Sequence, residues 1–524
     1  MHPCLNVGEV LRQLARDLVV LEEEATVVSL ACCCKGFKGP ALDALWESQD
    51  QLFPLLKTLP ADAWKTEAGH FVSLSQELTV FLSDRVKSFE RIPTRAEWSR
   101  LRRFAREMRN LRVDTSQDPP ITSDILFVLQ LHSANEPLFP KLKAFKCYAN
   151  EVFDPFIPLF LSRETTSIDI GFAKGSPTLI VASVIARLSI LCPDLEDITL
   201  GKLPRDPVIV EAVSEMLLGC NKDALRCFYV DSPLKGEARD VLFQLPKLSA
   251  LWAVFRDHTP LPPVVLPNLT FIHVEYDNHP DWLQGFRGGV LDKLETIYLR
   301  PQSGEISDFL GEFKNVALTT SIPATLLRFK LITSRPWDPS YRSLLPFTQL
   351  KELVIEFSCE DHCSSRVDDG VIMDLARTMP KLRILRLGGA PCETGGGVTV
   401  KGLIAVARGC RLLSELRIHF ETASFFEAAT GAKVSTPSNG ETAGSQQGCA
   451  LTSLEVGEIH IPTQEGAALK VAAILLQIFP RLLNVKFVEK KWKEVVKIIK
   501  VFKKAGVFVQ HTGKTYFHIL SPPR

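Results

Sequence analysis

The sequence predicts an α/β solenoid, with parallel strands on a concave face and helices outside, preceded by a small three-helix bundle. The prediction rests on a repeated phrase, its period, and the helix-like segments that fill its intervals. The phrase is an apolar residue followed by others three and five positions on. It begins at Met108, Leu142, Thr165, Leu195, Leu225, Leu248, Leu269, Leu294, Leu326, Leu350, Leu382, Leu413, Leu451 and Leu482, with most steps between 21 and 34 residues. The best copies are Leu382/Leu385/Leu387 and Leu294/Ile297/Leu299. In a strand, the second and third apolar residues of each copy fall on one face. One unit cannot bury that face alone, so neighbours must stack.

The period is close to the roughly 20–29 residues of leucine-rich repeats, though the copies are irregular. The Asn or Cys often found eight residues after the first leucine occurs once, as Asn150. Helices are expected after the Ser176-Pro177 cap through Ile180, Val184, Ile185 and Leu188, and over Pro207–Leu218, Val371–Met379, Val400–Arg408 and Gly466–Phe479. Met379-Pro380 and Phe479-Pro480 end two of them, because proline stops a helix and favours an extended approach to the next strand. The longest interval contains Thr430 to Gln447, rich in Gly, Ser, Thr and Ala, which reads as a flexible insertion near residues 430–447. The expected division is residues 1–50 as a three-helix domain, 51–107 as a helical linker and 108–524 as the solenoid.

At 524 residues the chain exceeds one ordinary core, a limit that stacked repeats escape. Its net charge of +1 makes the whole chain no polyelectrolyte for nucleic acid or anionic lipid. The longest apolar run, Leu179 to Cys192, contains Arg187 and is too short to span a bilayer. Charges at Glu9, Arg12, Arg16 and Asp17 stand where a secretory signal needs its apolar region. The thirteen cysteines lack framework spacing, which suits free thiols in the cytoplasm or nucleus. Neither a membrane nor a nucleic-acid partner is expected.

Pro93 to Glu97 forms a capping box opening a helix through Trp98, Leu101, Phe104 and Met108. Its arginines, Arg100, Arg102, Arg103, Arg106 and Arg109, read as a solvated face. Ahead of it, Val7, Val10, Leu11, Leu14 and Leu18 keep helical spacing, and further helices fit Ala25–Cys34 and Pro40–Trp46. So small a bundle leaves apolar surface for a partner.

This segment resembles an F-box in the form many fungal F-box proteins carry. Val7-Gly8-Glu9-Val10-Leu11 stands where the family has Leu/Ile-Pro-Glu-Ile-Leu, and Ser29 to Phe37 resembles its Leu-Ala-x-x-Cys-Arg-x-Trp/Phe stretch. Pro40 to Trp46 is close to the family's PALDxLW ending, continued by Leu52 to Leu56. Gly8 and Arg12-Gln13 depart from the pattern. The resemblance implies docking on the Skp-type adaptor of a cullin–RING ubiquitin ligase through Val7, Val10, Leu11, Leu14, Leu30, Leu42 and Trp46. The repeats would then hold a protein substrate, and this chain would not itself be an enzyme. Tethering would raise the effective concentration of the target lysine. The alternative is a repeat scaffold with a degenerate F-box and no ligase role.

Between the two inward residues of each copy, one residue points outward. The outward positions are Lys146, Asp169, Thr199, Tyr229, Trp252, His273, Tyr298, Lys330, Val354, Arg386, Arg417, Glu455 and Lys486. Aromatic and arginine side chains are favoured interface anchors. Tyr229, Trp252, Tyr298, Lys330, Arg386 and Arg417 are therefore the candidate substrate-binding residues, suited to an apolar segment beside acidic or phosphorylated residues. A one-residue slip in register would instead turn some of them inward.

Other motifs read as structural. Gly513-Lys514-Thr515 lacks the earlier glycine of a phosphate-binding loop, which Phe508 replaces. Cys359, His362 and Cys363 have no fourth ligand for zinc. Cys32-Cys33-Cys34 reads as packing cysteines, and no cofactor, metal or catalytic constellation is expected. Lys490 to Lys504 is basic and amphipathic, suited to an anionic membrane or an acidic partner, or to the helix that closes the solenoid. Capping is the favoured reading.

Overall fold

A computed structural model describes residues 8–67, 85–115, 121–133, 136–148, 150–256, 261–277, 281–302, 309–333, 340–357, 367–388, 397–420, 422, 424, 449–456, 461, 465–487 and 490–504. Val7, the Thr430–Gln447 insertion, Cys359, His362, Cys363 and the Gly513–Thr515 motif lie outside these residues.

All fourteen copies of the phrase are strands, each beginning two residues after its first apolar residue, from Asn110–Asp114 to Asn484–Phe487. Those first residues, Leu294 and Leu382 among them, are buried as well. A fifteenth strand, Ser48–Gln49, precedes them. Seven of these parallel strands lie in a first compact unit, residues 1–256 with 264–269, and eight in a second, residues 257–263 and 270–524.

In the first unit Leu111, Phe145, Ile168, Ile198, Phe228 and Leu251 follow one another in register. In the second, Ile297, Phe329, Leu353, Leu385, Leu416, Leu454 and Val485 do the same. The register shifts once, by two residues between Tyr229 and Pro233 where Cys227–Pro233 meets Ala250–Phe255, and an even shift keeps each apolar set on the core side. Residues after the repeat helices complete the core: Cys192, Cys220, Met379, Cys410 and Phe479 are buried. The Cys410 thiol donates to the Met379 carbonyl and the Cys449 thiol to that of Cys410, tying successive repeats together.

The helices fall where periodicity placed them, at Thr178–Leu191, Pro207–Gly219, Asp369–Thr378, Val400–Gly409 and Ala467–Ile478. Ser176 does not cap the first of these. Its hydroxyl donates to the buried Asp154 carboxylate instead.

At the N-terminus three helices form, α1 (Gly8–Val20), α2 (Glu24–Cys33) and α3 (Lys35–Glu47), around Ala15, Val27, Ala41 and Ala44. They join the repeats without a spacer. The chain leaves α3 directly into Ser48–Gln49, which pairs with Asn110–Leu111. The Glu47 carboxylate meets Arg16 of α1 at 2.6 Å and Arg109 at 3.8 Å, and its carbonyl accepts from Arg109 N–H. The 51–107 stretch is thus an excursion between two adjacent strands of one sheet. The sequence predicts a helical linker here, yet beside its helices the stretch carries an antiparallel ladder, Trp64–Glu67 with Arg85–Phe89.

The capping box forms as expected at Arg95–Ala105, with Thr94 and Glu97 bonding reciprocally. Arg91 grips the same Glu97 with both guanidinium arms and also binds Asp62, pushing the Glu97 carboxyl down to about 2. The helix arginines are exposed or paired: Arg102 and Arg106 with Glu136, Arg109 with Glu47.

Candidate protein-interaction site

The outward residues read from the sequence stand in one register row in each unit. In the first unit the row runs Lys146, Asp169, Thr199, Tyr229, Trp252, and it is headed by Arg112, which the sequence reading did not name. In the second it runs His273, Tyr298, Lys330, Val354, Arg386, Arg417, Glu455, Lys486. Alternation with the buried leucines and isoleucines turns these rows away from the core. Val354 is the exception in exposure, at 2%. Its register partners are Lys330 and Arg386, whose long stems can cover apolar surface.

In the first unit Tyr229 and Trp252 are register partners, both half-buried, and burial pushes the Tyr229 phenol up. Lys146 reaches Asp169 at 2.6 Å and lies over the Tyr148 ring, which Arg112 also faces. In the second unit Tyr298 is the centre of a cluster: Phe271 at 5.9 Å, His273 at 5.8 Å, and the Lys330 ammonium 4.9 Å above its ring. Burial, reinforced by Arg300 and Lys330, lowers the His273 imidazole to about 4, so it is neutral at pH 7. This cluster joins an aromatic surface to a cation, a combination that serves interface anchors.

Arg386 and Arg417 are placed in the row as expected, but they do not present free charge. Arg386 contacts Glu415 at 2.5 Å and Glu356 at 3.4 Å; Arg417 contacts Glu356 at 3.3 Å and Glu455 at 3.5 Å. The two arginines and three glutamates form a grid in which both positive charges are compensated and one negative charge is left in excess. Reading only the central position of each strand missed Glu356 and Glu415, which lie two residues along and so share the outward face. That period was the available signal.

The docking residues implied by the F-box resemblance divide by exposure. Val10 and Leu14 of α1 are 45% and 42% exposed, beside the exposed Val20, Leu21 and Val28. Leu11 is buried, and Leu30 packs against the bundle core. Leu42 is half-buried, as is Trp46, which stacks on Phe104 at 4.7 Å. Leu11 therefore supports the bundle from within, and Trp46 is engaged by the chain's own helix. Cys32 and Cys33 are exposed, so they are not the packing cysteines expected from the sequence. Gly8 opens α1, and a Cβ there would meet nothing.

Two cavities accompany these faces. A cleft of about 410 Å³ between α1, α3 and the first repeats is lined by charges, among them Arg12, Asp43, Glu107 and Lys141. An apolar void of about 20 Å³ lies among Ile272, Leu294, Phe313 and Val316, too small for more than a water-sized molecule. Among the described residues no group of three or more His, Cys, Asp or Glu is arranged to hold a metal, and no helix is long and apolar enough to cross a membrane.

No protein-family model and no curated protein matches the chain. Among solved structures, the crystal structure of the Rad7 and Elc1 complex in yeast is similar over 68% of this chain and 77% of that one, at 12% identity and a TM-score of 0.36. A likeness that distant says nothing of function.

Proposed function

We propose that this chain is a substrate-binding adaptor of a cullin–RING ubiquitin ligase. Its N-terminal helices dock a Skp-type adaptor, and the outward rows of its repeats hold a protein. The observation that carries the reading is the exposed apolar pair Val10 and Leu14 on a three-helix bundle fused to a long, side-chain-rich sheet. Both are surfaces for partners, and the fusion through Glu47, Arg109 and Ser48–Gln49 fixes the bundle against the first repeats. A bound protein held at a set distance from a ubiquitin donor is modified by proximity. For the held protein, the Tyr298–Lys330 cluster is the best anchor, since the Arg386–Arg417 grid is already compensated.

Complementation of cells lacking the chain tests this. The variant V10E/L14E, which removes the docking face, and Y298A/K330E, which removes the anchor, should raise the abundance of the same set of proteins. Proteins lost from complexes with the second variant and unchanged with the first would instead mark a scaffold without ligase role. The burial of Leu11 and the engagement of Trp46 by Phe104 favour that second reading, because they subtract from the apolar surface open to an adaptor.

A further inference from the structure

The basic segment at the C-terminal end resolves into two faces. In the helix Trp492–Lys504, Trp492, Val495 and Ile499 are buried, with Trp492 edge-on to Phe420 at 6.2 Å, and the helix packs on Ala467–Ile478. The apolar face is thus consumed in packing on the preceding repeat. The opposite side bears Lys493, Lys497, Lys500 and Lys504, all exposed. Spaced by four, three and four residues, they line one stripe of the helix. It is about 16 Å long at 1.5 Å per residue. Among the described residues none of the four has an ion-pair partner. Residues 490–504 hold seven lysines and one glutamate, a net +6 in a chain whose total is +1. The remainder is therefore net acidic, and the charge is segregated rather than spread.

We propose that this stripe binds the phosphate backbone of duplex nucleic acid without sequence preference. Three features select that partner. The cations of the stripe are all lysines, with Glu494 the one exposed acid on the helix, and a lysine meets a phosphate as a point charge without fixed geometry, which suits binding without sequence preference. Lysine is also depleted from protein–protein interfaces. The apolar face is buried in the protein, which removes the insertion that holds amphipathic helices on membranes, and Val501 alone borders the stripe as an exposed apolar residue of this helix. No exposed aromatic side chain lies on the helix, so the stacking platform used for single strands is missing. A rigid stripe about 16 Å long spans nearly five base-pair rises of one strand.

Fluorescence anisotropy of the full chain with a labelled random-sequence duplex tests the assignment. Four phosphate contacts predict a slope of log K against log salt near −3.6, hence a loss of roughly 150-fold between 50 and 200 mM salt. Duplexes of unrelated sequence should bind alike. K497Q alone should lower the slope by about 0.9, and K493Q/K497Q/K500Q/K504Q should abolish binding, with thermal melting confirming that both variants fold. The proposal is overturned by absence of duplex binding at 50 mM salt or by binding that survives the quadruple substitution. Binding to phosphatidylserine vesicles without binding to duplex would also overturn it, assigning the stripe to a membrane surface.

Discussion

Lys202 shows how single residues hold this sheet. It follows the strand Asp197–Gly201 with φ at 60°, in the left-handed region. Asp231 on the next strand accepts from the Lys202 and Leu203 N–H groups at 2.8 and 3.2 Å, which pins the bend. Lys202→Gly should raise stability by about 0.5–1 kcal/mol in a urea melt, since glycine adopts this conformation without a Cβ penalty. Asp154 is a different case. It is fully buried, accepts from the Ser176 hydroxyl through Oδ2, and leaves Oδ1 without a hydrogen-bond partner in the structure. Burial pushes its carboxyl up. A folded-state value above the unfolded one means the native protein takes up the proton first, so this group's contribution is present at low pH and is lost as pH rises through its folded value. Asp154→Asn should therefore flatten stability against pH in the acidic range and leave stability at pH 7 equal or higher. A variant that keeps the wild-type pH slope would assign that slope elsewhere.

At the scale of elements, close helix packing sets the tolerance of the repeats. Gly409 ends the helix Val400–Gly409, and a Cβ there would lie 2.9 Å from the Ala376 Cβ and nearer still to its carbonyl. Gly409→Ala should cost about 1–3 kcal/mol in thermal or urea melts, because the neighbouring helix Asp369–Thr378 would have to shift. The strands were legible in the sequence because each inward residue has a partner in the next repeat, and that stacking imposes one spacing. The Thr94–Glu97 box was legible because it needs only local contacts. Ser176 was misread for the opposite reason: Asp154, twenty-two positions earlier, takes its hydroxyl, and no local pattern announces that. The ladder of Trp64–Glu67 and Arg85–Phe89 was likewise not legible, since a single pair of short strands carries no repeated spacing to announce it.

Taken whole, the chain carries a compact helical bundle and one outward row in its first unit, and a second outward row and a lysine stripe in its second. The row positions followed from a period of two and a constant register, so the candidate surface could be located from sequence. Its electrostatics could not. The partners of Arg386 and Arg417 come from neighbouring strands, and only the fold brings Glu356, Glu415 and Glu455 to them. Exposure along the first helix was not legible, because a helical spacing names Leu11 and Leu14 alike while packing buries the first and exposes the second. On the proposed function, the bundle docks a ligase adaptor through Val10 and Leu14 despite the burial of Leu11. The most direct measurement is co-purification of the full chain with a Skp-type adaptor, beside V10E/L14E as the matched control. A one-to-one complex lost in the variant is the predicted result, and a well-folded full chain that fails to bind the adaptor would contradict it.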